Sequence, residues 1–75
     1  MSLKDIKIGD RAKIIKMNGG SMFIKKAESL GIRVGSIVVK KTAQMMNGPI
    51  TIQVGNTNIA LGVGMAEKVI VEVIK

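Results

Sequence analysis

Residues 49–62, PITIQVGNTNIALG, decide the fold of this 75-residue chain because they predict a complete β-hairpin. Two aliphatic strands, 49–54 with Ile and Val and 57–62 with Ile and Leu, flank the dipeptide Gly55-Asn56. Both turn residues accept positive φ angles, as a two-residue hairpin turn requires. Pro49 can open the first strand because a missing N–H is tolerated at a first or edge position.

Two further strands are predicted, one before and one after this hairpin in the chain. Residues 69–74 (VIVEVI) alternate between two faces and place Glu72 outward. Residues 36–41 (SIVVKK) predict another strand, and a loop over 42–48 leads from it to the hairpin. A short helical turn is predicted near 64–68, before the last strand.

Residues 11–17 (RAKIIKM) predict the first strand, after an extended lead-in over 3–9. Simple alternation places Ala12 and Ile14 on one face together with Lys16, and it places Ile15 and Met17 on the other.

The period changes to that of a helix at about residues 21–30. Phe23, Ala27 and Leu30 stand at i, i+4 and i+7 and therefore share one helical face. Ser21 is the predicted N-cap, because its hydroxyl can accept a hydrogen bond from a free N–H of the first turn.

Glycine occupies most of the predicted turn and cap positions. No phosphate-binding glycine motif is present, so these residues are interpreted as structural. They are Gly9, Ser21, Gly31, Gly35, Gly48, Pro49, Gly55 and Gly62.

These elements predict a mainly β protein, with residues 1–75 forming a single domain of about five antiparallel strands and one inserted helix. Consecutive strands joined by short turns favour a small barrel, which also removes exposed sheet edges. The core must be aliphatic, with Met17, Met22 and Met65 as filler, because Phe23 is the one aromatic residue.

Composition excludes several kinds of chemistry. The chain has no Cys and no His, so disulfides, Cys/His zinc sites and His-dependent nucleophiles are excluded. The acidic residues are few and are not paired at helical spacing, so neither a metal site nor a cofactor is expected. An enzyme is the least expected class.

The net charge of +7 comes entirely from residues 1–41, where ten Lys/Arg stand against three Asp/Glu. Such a field attracts acidic partners, although it also keeps a small domain soluble. The alternatives are thus a specific basic surface and diffuse solubilising charge.

The ordered motifs of residues 3–73 resemble the family of FeoA, ferrous iron transport protein A. The motifs are Ile8-Gly9-Asp10, Leu30-Gly31-Ile32, Gly35, Gly48-Pro49-Ile50, Val54-Gly55, Ile59-Ala60-Leu61-Gly62 and Met65-Ala66. The resemblance implies an SH3-like β-barrel with a helix inserted after the first strand.

The resemblance also implies a role. FeoA-like proteins serve a membrane GTPase that imports ferrous iron, ferrous iron transport protein B, and are thought to contact its cytoplasmic domain. This implies a cytoplasmic, non-enzymatic accessory protein without direct membrane insertion. The same domain occurs in metal-dependent repressors. Where family members often carry arginines on the helix, this chain has lysines, so the bidentate contacts of arginine are lost.

The predicted partner-binding residues combine charge with flexible apolar side chains. Charges set approach and orientation, and exposed methionines can grip an apolar surface. The set is Lys25, Lys26, Arg33, Met45, Met46 and Asn47, with Lys40 and Lys41 joining the basic rim if the second strand runs beside the helix. For Met45 and Met46, plugging the barrel end is the alternative.

Two other functions remain open at this point. One is a basic small barrel that binds nucleic acid, against which the lack of stacking aromatics argues. The other is a stand-alone regulatory domain that binds a metal or a peptide. The oligomeric state does not follow from the sequence.

Overall fold

The computed structural model describes residues 1–43 and 48–74. This part of the chain contains five strands and two helices. In chain order they are β1 (Arg11–Met17), α1 (Ser21–Ser29), β2 (Ile37–Ala43), β3 (Ile50–Val54), β4 (Thr57–Leu61), α2 (Val63–Lys68) and β5 (Val69–Ile74). The predicted mainly β architecture with an inserted helix is confirmed. The predicted 42–48 loop starts too early, because β2 continues through Thr42 and Ala43.

All neighbouring strands pair antiparallel in the order β4-β3-β2-β1-β5. The predicted hairpin is β3–β4, which pairs in regular register from Ile50–Leu61 to Val54–Thr57. Its turn contains Gly55 at φ 60°, a conformation that glycine adopts without strain. β1 lies between β2 and β5 and is therefore the central strand of the basic half of the molecule.

The inner faces of all five strands and both helices contribute to one aliphatic core. Its buried residues are Leu3, Ile6, Ala12, Ile14, Ala27, Ile32, Val38, Ile50, Ile52, Ile59, Leu61, Ala66, Val69 and Val71. Met65 packs partly against it, as predicted, and so does Met17, which agrees with its prediction as filler but not with simple alternation along β1. Met22 does not, since it is 84% exposed.

A β-bulge in β1 overturns the predicted faces of its second half. The pairing with β5 runs through Ile14–Val71 and resumes at Lys16–Ile70, so that Ile15 is the extra residue. Ile14 points inward as predicted, but Lys16 is exposed and Met17 packs on the core. The extra residue shifts the alternation by one, which moves every later side chain to the other face.

The C-terminus of α1 is closed by a Schellman motif. Gly31 has φ 92°; its N–H donates to the Glu28 carbonyl at 3.0 Å, and the Ile32 N–H donates to the Ala27 carbonyl at 2.9 Å. Ile32 and Ala27 are both fully buried and provide the apolar contact that accompanies this motif. Leu30 is 40% exposed, so its predicted core position is taken by Ile32.

The N-terminus of α1 differs from the prediction. Its N-cap is Gly20, with extended φ and ψ angles of −74° and 173° and no side-chain cap. Ser21 is the first helical residue, so its hydroxyl is not the cap. Glycine is itself an accepted N-cap residue because its backbone reaches this conformation at little cost.

The predicted extended lead-in folds instead as a series of turns that seals one end of the core. Leu3 and Ile6 are buried, and Ser2 bridges to Ile70 at the outer edge of β5. The Leu3 N–H donates to the Val69 carbonyl at 3.0 Å. This segment therefore covers the outer edge of β5.

Within the residues that the structure describes, no helix is long and apolar enough to cross a bilayer.

Candidate partner-binding surface

The solvent-facing side of α1 carries the first two predicted binding residues. Lys25 and Lys26 are both exposed, whereas Ala27 is buried in the core directly after them. Met22 stands three and four residues before these lysines and therefore lies on the same helical face. An exposed apolar side chain thus lies beside two cations.

Phe23 fixes the position of this helix on the barrel. Its ring packs partly against the core, and the Lys68 ammonium lies 5.3 Å from the ring centroid. Gly19 lies so close to this ring that a Cβ atom there would stand 2.4 Å from Phe23 Cδ2. Packing against Phe23 therefore favours glycine at position 19. Because Phe23 holds α1 on the barrel, this contact also affects how the helix orients Lys25 and Lys26.

Arg33 lies just beyond the C-terminus of the same helix. Its side chain is exposed, and its Nη2 donates to the Glu28 carbonyl at 3.4 Å. This long hydrogen bond holds the guanidinium at the negative end of the helix dipole. The structure thus places Lys25, Lys26 and Arg33 on one exposed helix and its end.

Lys40 does not belong to the predicted basic rim. It is 5% exposed, and its ammonium donates to the carbonyl oxygens of Lys4 at 3.0 Å and Ile6 at 2.7 Å. Its backbone also pairs with Gly9 and Asp10. Side chains two positions apart in a strand share a face, so Lys40 points inward like the buried Val38. Lys40 therefore anchors the N-terminal segment instead of meeting a partner.

Lys41 is exposed at the irregularity in the β2–β3 pairing. Three predicted binding residues, Met45, Met46 and Asn47, lie outside the described residues, as does Gln44.

The predicted turn glycines divide into two groups. Gly9, Gly31, Gly35 and Gly55 have positive φ, whereas Gly62 serves as the N-cap of α2. Asp10 lies in a turn, where its carboxylate accepts the Lys7 N–H at 3.0 Å.

The carboxylates of the described chain do not converge. Residues 1–43 and 48–74 hold no group of three or more His, Cys, Asp or Glu side chains that could ligate a metal, and they enclose no pocket. Their one ion pair joins Lys4 and Glu67 at 3.0 Å. Asp5 accepts hydrogen bonds from the Ser2 N–H and hydroxyl, and the backbone bond lowers the pKa of Asp5 below its usual range. This carboxylate stabilises a turn.

The fold is that of a small SH3-like β-barrel, and over residues 1–43 and 48–74 it offers exposed surfaces, some of them cationic, and no pocket. The FeoA domain family matches residues 1–73, and the chain belongs to this family. A protein of Methanocaldococcus jannaschii, provisionally named Fe(2+) transport protein A, is 35% identical over 66 residues, which are 88% of this chain and 78% of that relative.

Solved structures show the same fold. A crystal structure of an iron uptake regulatory protein, FeoA, superposes with a TM-score of 0.89 at 28% identity, over 99% of this chain and 96% of that one. FeoA of Stenotrophomonas maltophilia, described as an SH3 domain protein in complex with zinc, superposes with a TM-score of 0.81 at 22% identity, over 96% and 89% of the two chains. The predicted family and SH3-like fold are confirmed.

Proposed function

We propose that this protein is a non-enzymatic, cytoplasmic accessory of ferrous iron uptake that docks on the cytoplasmic domain of the membrane GTPase ferrous iron transport protein B. Its membership of the FeoA family and its likeness to a protein named for Fe(2+) transport support this role. The observation that carries the docking surface is the exposed face of α1, defined here as the α1 face: Met22, Lys25, Lys26 and Arg33.

The α1 face combines attraction with an apolar contact point. Three of its side chains are cations, and none of them has a carboxylate partner within 4.0 Å among the described residues. Met22 is 84% exposed and has no packing role of its own. Buried apolar anchors supply binding energy at interfaces, and surrounding charges set orientation and association rate. The complementary partner surface is an acidic patch around an apolar pocket.

The first test is an NMR titration of the isotope-labelled protein with the soluble cytoplasmic domain of the transporter at about 150 mM salt, where exposed charges beyond about 8 Å are screened. We expect amide shifts over residues 22–33. The double variant Lys25→Glu/Lys26→Glu should bind about tenfold more weakly, since each exposed pair contributes up to about 1 kcal/mol.

The matched control is Arg11→Glu/Lys16→Glu on β1. Each double reversal changes the charge by −4, so both variants fall from +7 to +3. Equal weakening by both variants would show that net charge alone drives association. Unchanged affinity of the Lys25/Lys26 variant would remove the α1 face from the interface.

A further inference from the structure

A second basic surface covers the outer side of the sheet around β1. β1 pairs with β2 on one side and with β5 on the other. Directly opposed residues of paired strands lie on the same face of the sheet, so the outward side chains of these three strands are neighbours. This surface, called the outer β1 face, is formed by the charged residues Arg11, Lys13, Lys16 and Glu72 with the aliphatic residues Ile15, Ile37 and Ile74.

The charges of this face are mainly positive and lie along one strand. Arg11, Lys13 and Lys16 are exposed, and one acid, Glu72, stands opposite Lys13. Three cations and one anion give the face a net charge of +2. No ion pair within 4.0 Å neutralises these cations among residues 1–43 and 48–74. The bulge at Ile15 contributes to this arrangement, because it turns Lys16 outward.

Aliphatic side chains are interleaved with the cations. Ile74 lies opposite Arg11, and Ile37 lies opposite Lys13. Ile15, Ile37 and Ile74 are 45%, 39% and 38% exposed. Exposed isoleucines would add nothing to phosphate contacts on a nucleic acid, and the face has no aromatic side chain on which a base could stack. A partner with negative charge above an apolar layer matches this combination.

We propose that the outer β1 face binds the surface of an anionic phospholipid bilayer. Lipid phosphates match the three cations, and the boundary between headgroups and acyl chains accepts the aliphatic side chains. The binding is peripheral. This proposal is independent of the docking proposed for α1. Ala27 packs α1 against the core, which lies on the side of the sheet opposite to the outer β1 face.

The test is sedimentation with vesicles of phosphatidylglycerol and phosphatidylcholine in equal amounts, with pure phosphatidylcholine vesicles as the reference, at about 50 and 150 mM salt. Each basic side chain near an anionic surface increases partitioning about fivefold. Loss of two contacts in Arg11→Glu/Lys16→Glu should therefore weaken binding at least about 25-fold. The control Lys25→Glu/Lys26→Glu has the same net charge and should bind within about fivefold of the original protein.

The aliphatic contribution is tested separately. Ile37→Ser, on the face, should weaken vesicle binding several-fold, whereas Met22→Ser, on α1, should not change it. Equal loss in the two charge-reversed variants would overturn the proposal, because it would indicate diffuse attraction. Equal binding to phosphatidylcholine would overturn it too, and so would binding to single-stranded RNA but not to vesicles.

A measurement on the unsubstituted protein covers the case in which a strand variant unfolds. With a gadolinium-chelating lipid in the vesicles, we expect the strongest NMR line broadening at the amides of 11–16 and 70–74. Strongest broadening at residues 22–29 would overturn the assignment of the face. The membrane proposal and the docking proposal can be refuted separately. Arg11→Glu/Lys16→Glu is the test variant for vesicles and the control for the transporter, and Lys25→Glu/Lys26→Glu has the opposite roles.

Discussion

The contact between Gly19 and Phe23 gives a sharp prediction about how α1 is held. In Gly19→Ala, the new Cβ would lie 2.4 Å from Phe23 Cδ2, 2.9 Å from Cγ and 3.2 Å from Cβ. Ordinary van der Waals contact begins near 3.4 Å, so the worst overlap is about 1.0 Å. Rotation of the ring cannot relieve all of it, because the Phe23 Cβ is also too close.

The clash must therefore displace Phe23 and the first turn of α1. Overpacking of this kind costs about 1–3 kcal/mol of unfolding free energy. For a domain of this size, each kcal/mol lowers the Tm by about 4–8 °C. The assay is urea and thermal unfolding followed by far-UV circular dichroism, since the chain lacks Trp and Tyr.

Two controls isolate the clash from other effects. In Gly20→Ala the Cβ enters open space, so this variant should lose only the modest N-cap preference for glycine. In a Phe23→Ala background, which removes the Cγ and Cδ2 atoms and leaves only the 3.2 Å approach to Cβ, Gly19→Ala should cost clearly less than in the original protein. Additive effects of the substitutions at 19 and 23 would refute the reasoning, because residues in contact must show coupling.

Three further predictions concern single positions. Gly64→Ala should raise the unfolding free energy by about 0.4–1 kcal/mol in urea titrations, because the glycine lies within α2 with open space around it. Gly31→Ala should lower it by about 1–2 kcal/mol, since φ is 92° there, with Gly31→Asn less affected. Asp5→Asn should lower stability by less than about 1 kcal/mol at pH 7, because the carboxylate is exposed. The folded pKa of Asp5 lies below its unfolded value of about 4, so this loss should persist above pH 4 and disappear as the pH falls through the folded pKa; a loss that stays constant down to pH 2 would contradict it.

The strands and turns could be predicted because local signals agree with the tertiary structure. The 50–61 hairpin, the alternation of 69–74 and Gly31 at the end of α1 all act through neighbouring residues. Burial of a whole apolar face then reinforces each local preference. The family resemblance pointed to the same fold.

The errors arise where one residue changes a pattern. The bulge at Ile15 exchanges the faces of Lys16 and Met17, and a bulge has no reliable signal in a single sequence. The predicted basic rim includes Lys40 if β2 runs beside α1, although its two-residue spacing from Val38 places it on the inward face of the strand. Its two carbonyl partners come from residues 34 and 36 positions away, which local reasoning cannot supply.

The candidate surfaces were only partly predictable for the same reason. Lys25 and Lys26 follow from helical periodicity alone. The outer β1 face depends on which strands are neighbours, because Ile37 and Ile74 come from opposite sides of Arg11 and Lys13. Strand order is a long-range property that the pattern of one chain does not contain.

The enclosure of the Lys40 ammonium has a practical consequence for chemical labelling. An amine-specific reagent reacts within minutes with accessible lysines, but it reaches this side chain only after the turns of residues 4–6 have separated from β2. The rate at which mass spectrometry detects a label on Lys40 therefore reports the opening of the N-terminal segment. If that rate equals the rate of global unfolding, the segment and the barrel open as one unit; if it is faster, the segment opens on its own. Lys40 is thus a built-in probe of how fast the N-terminal turns separate from the barrel.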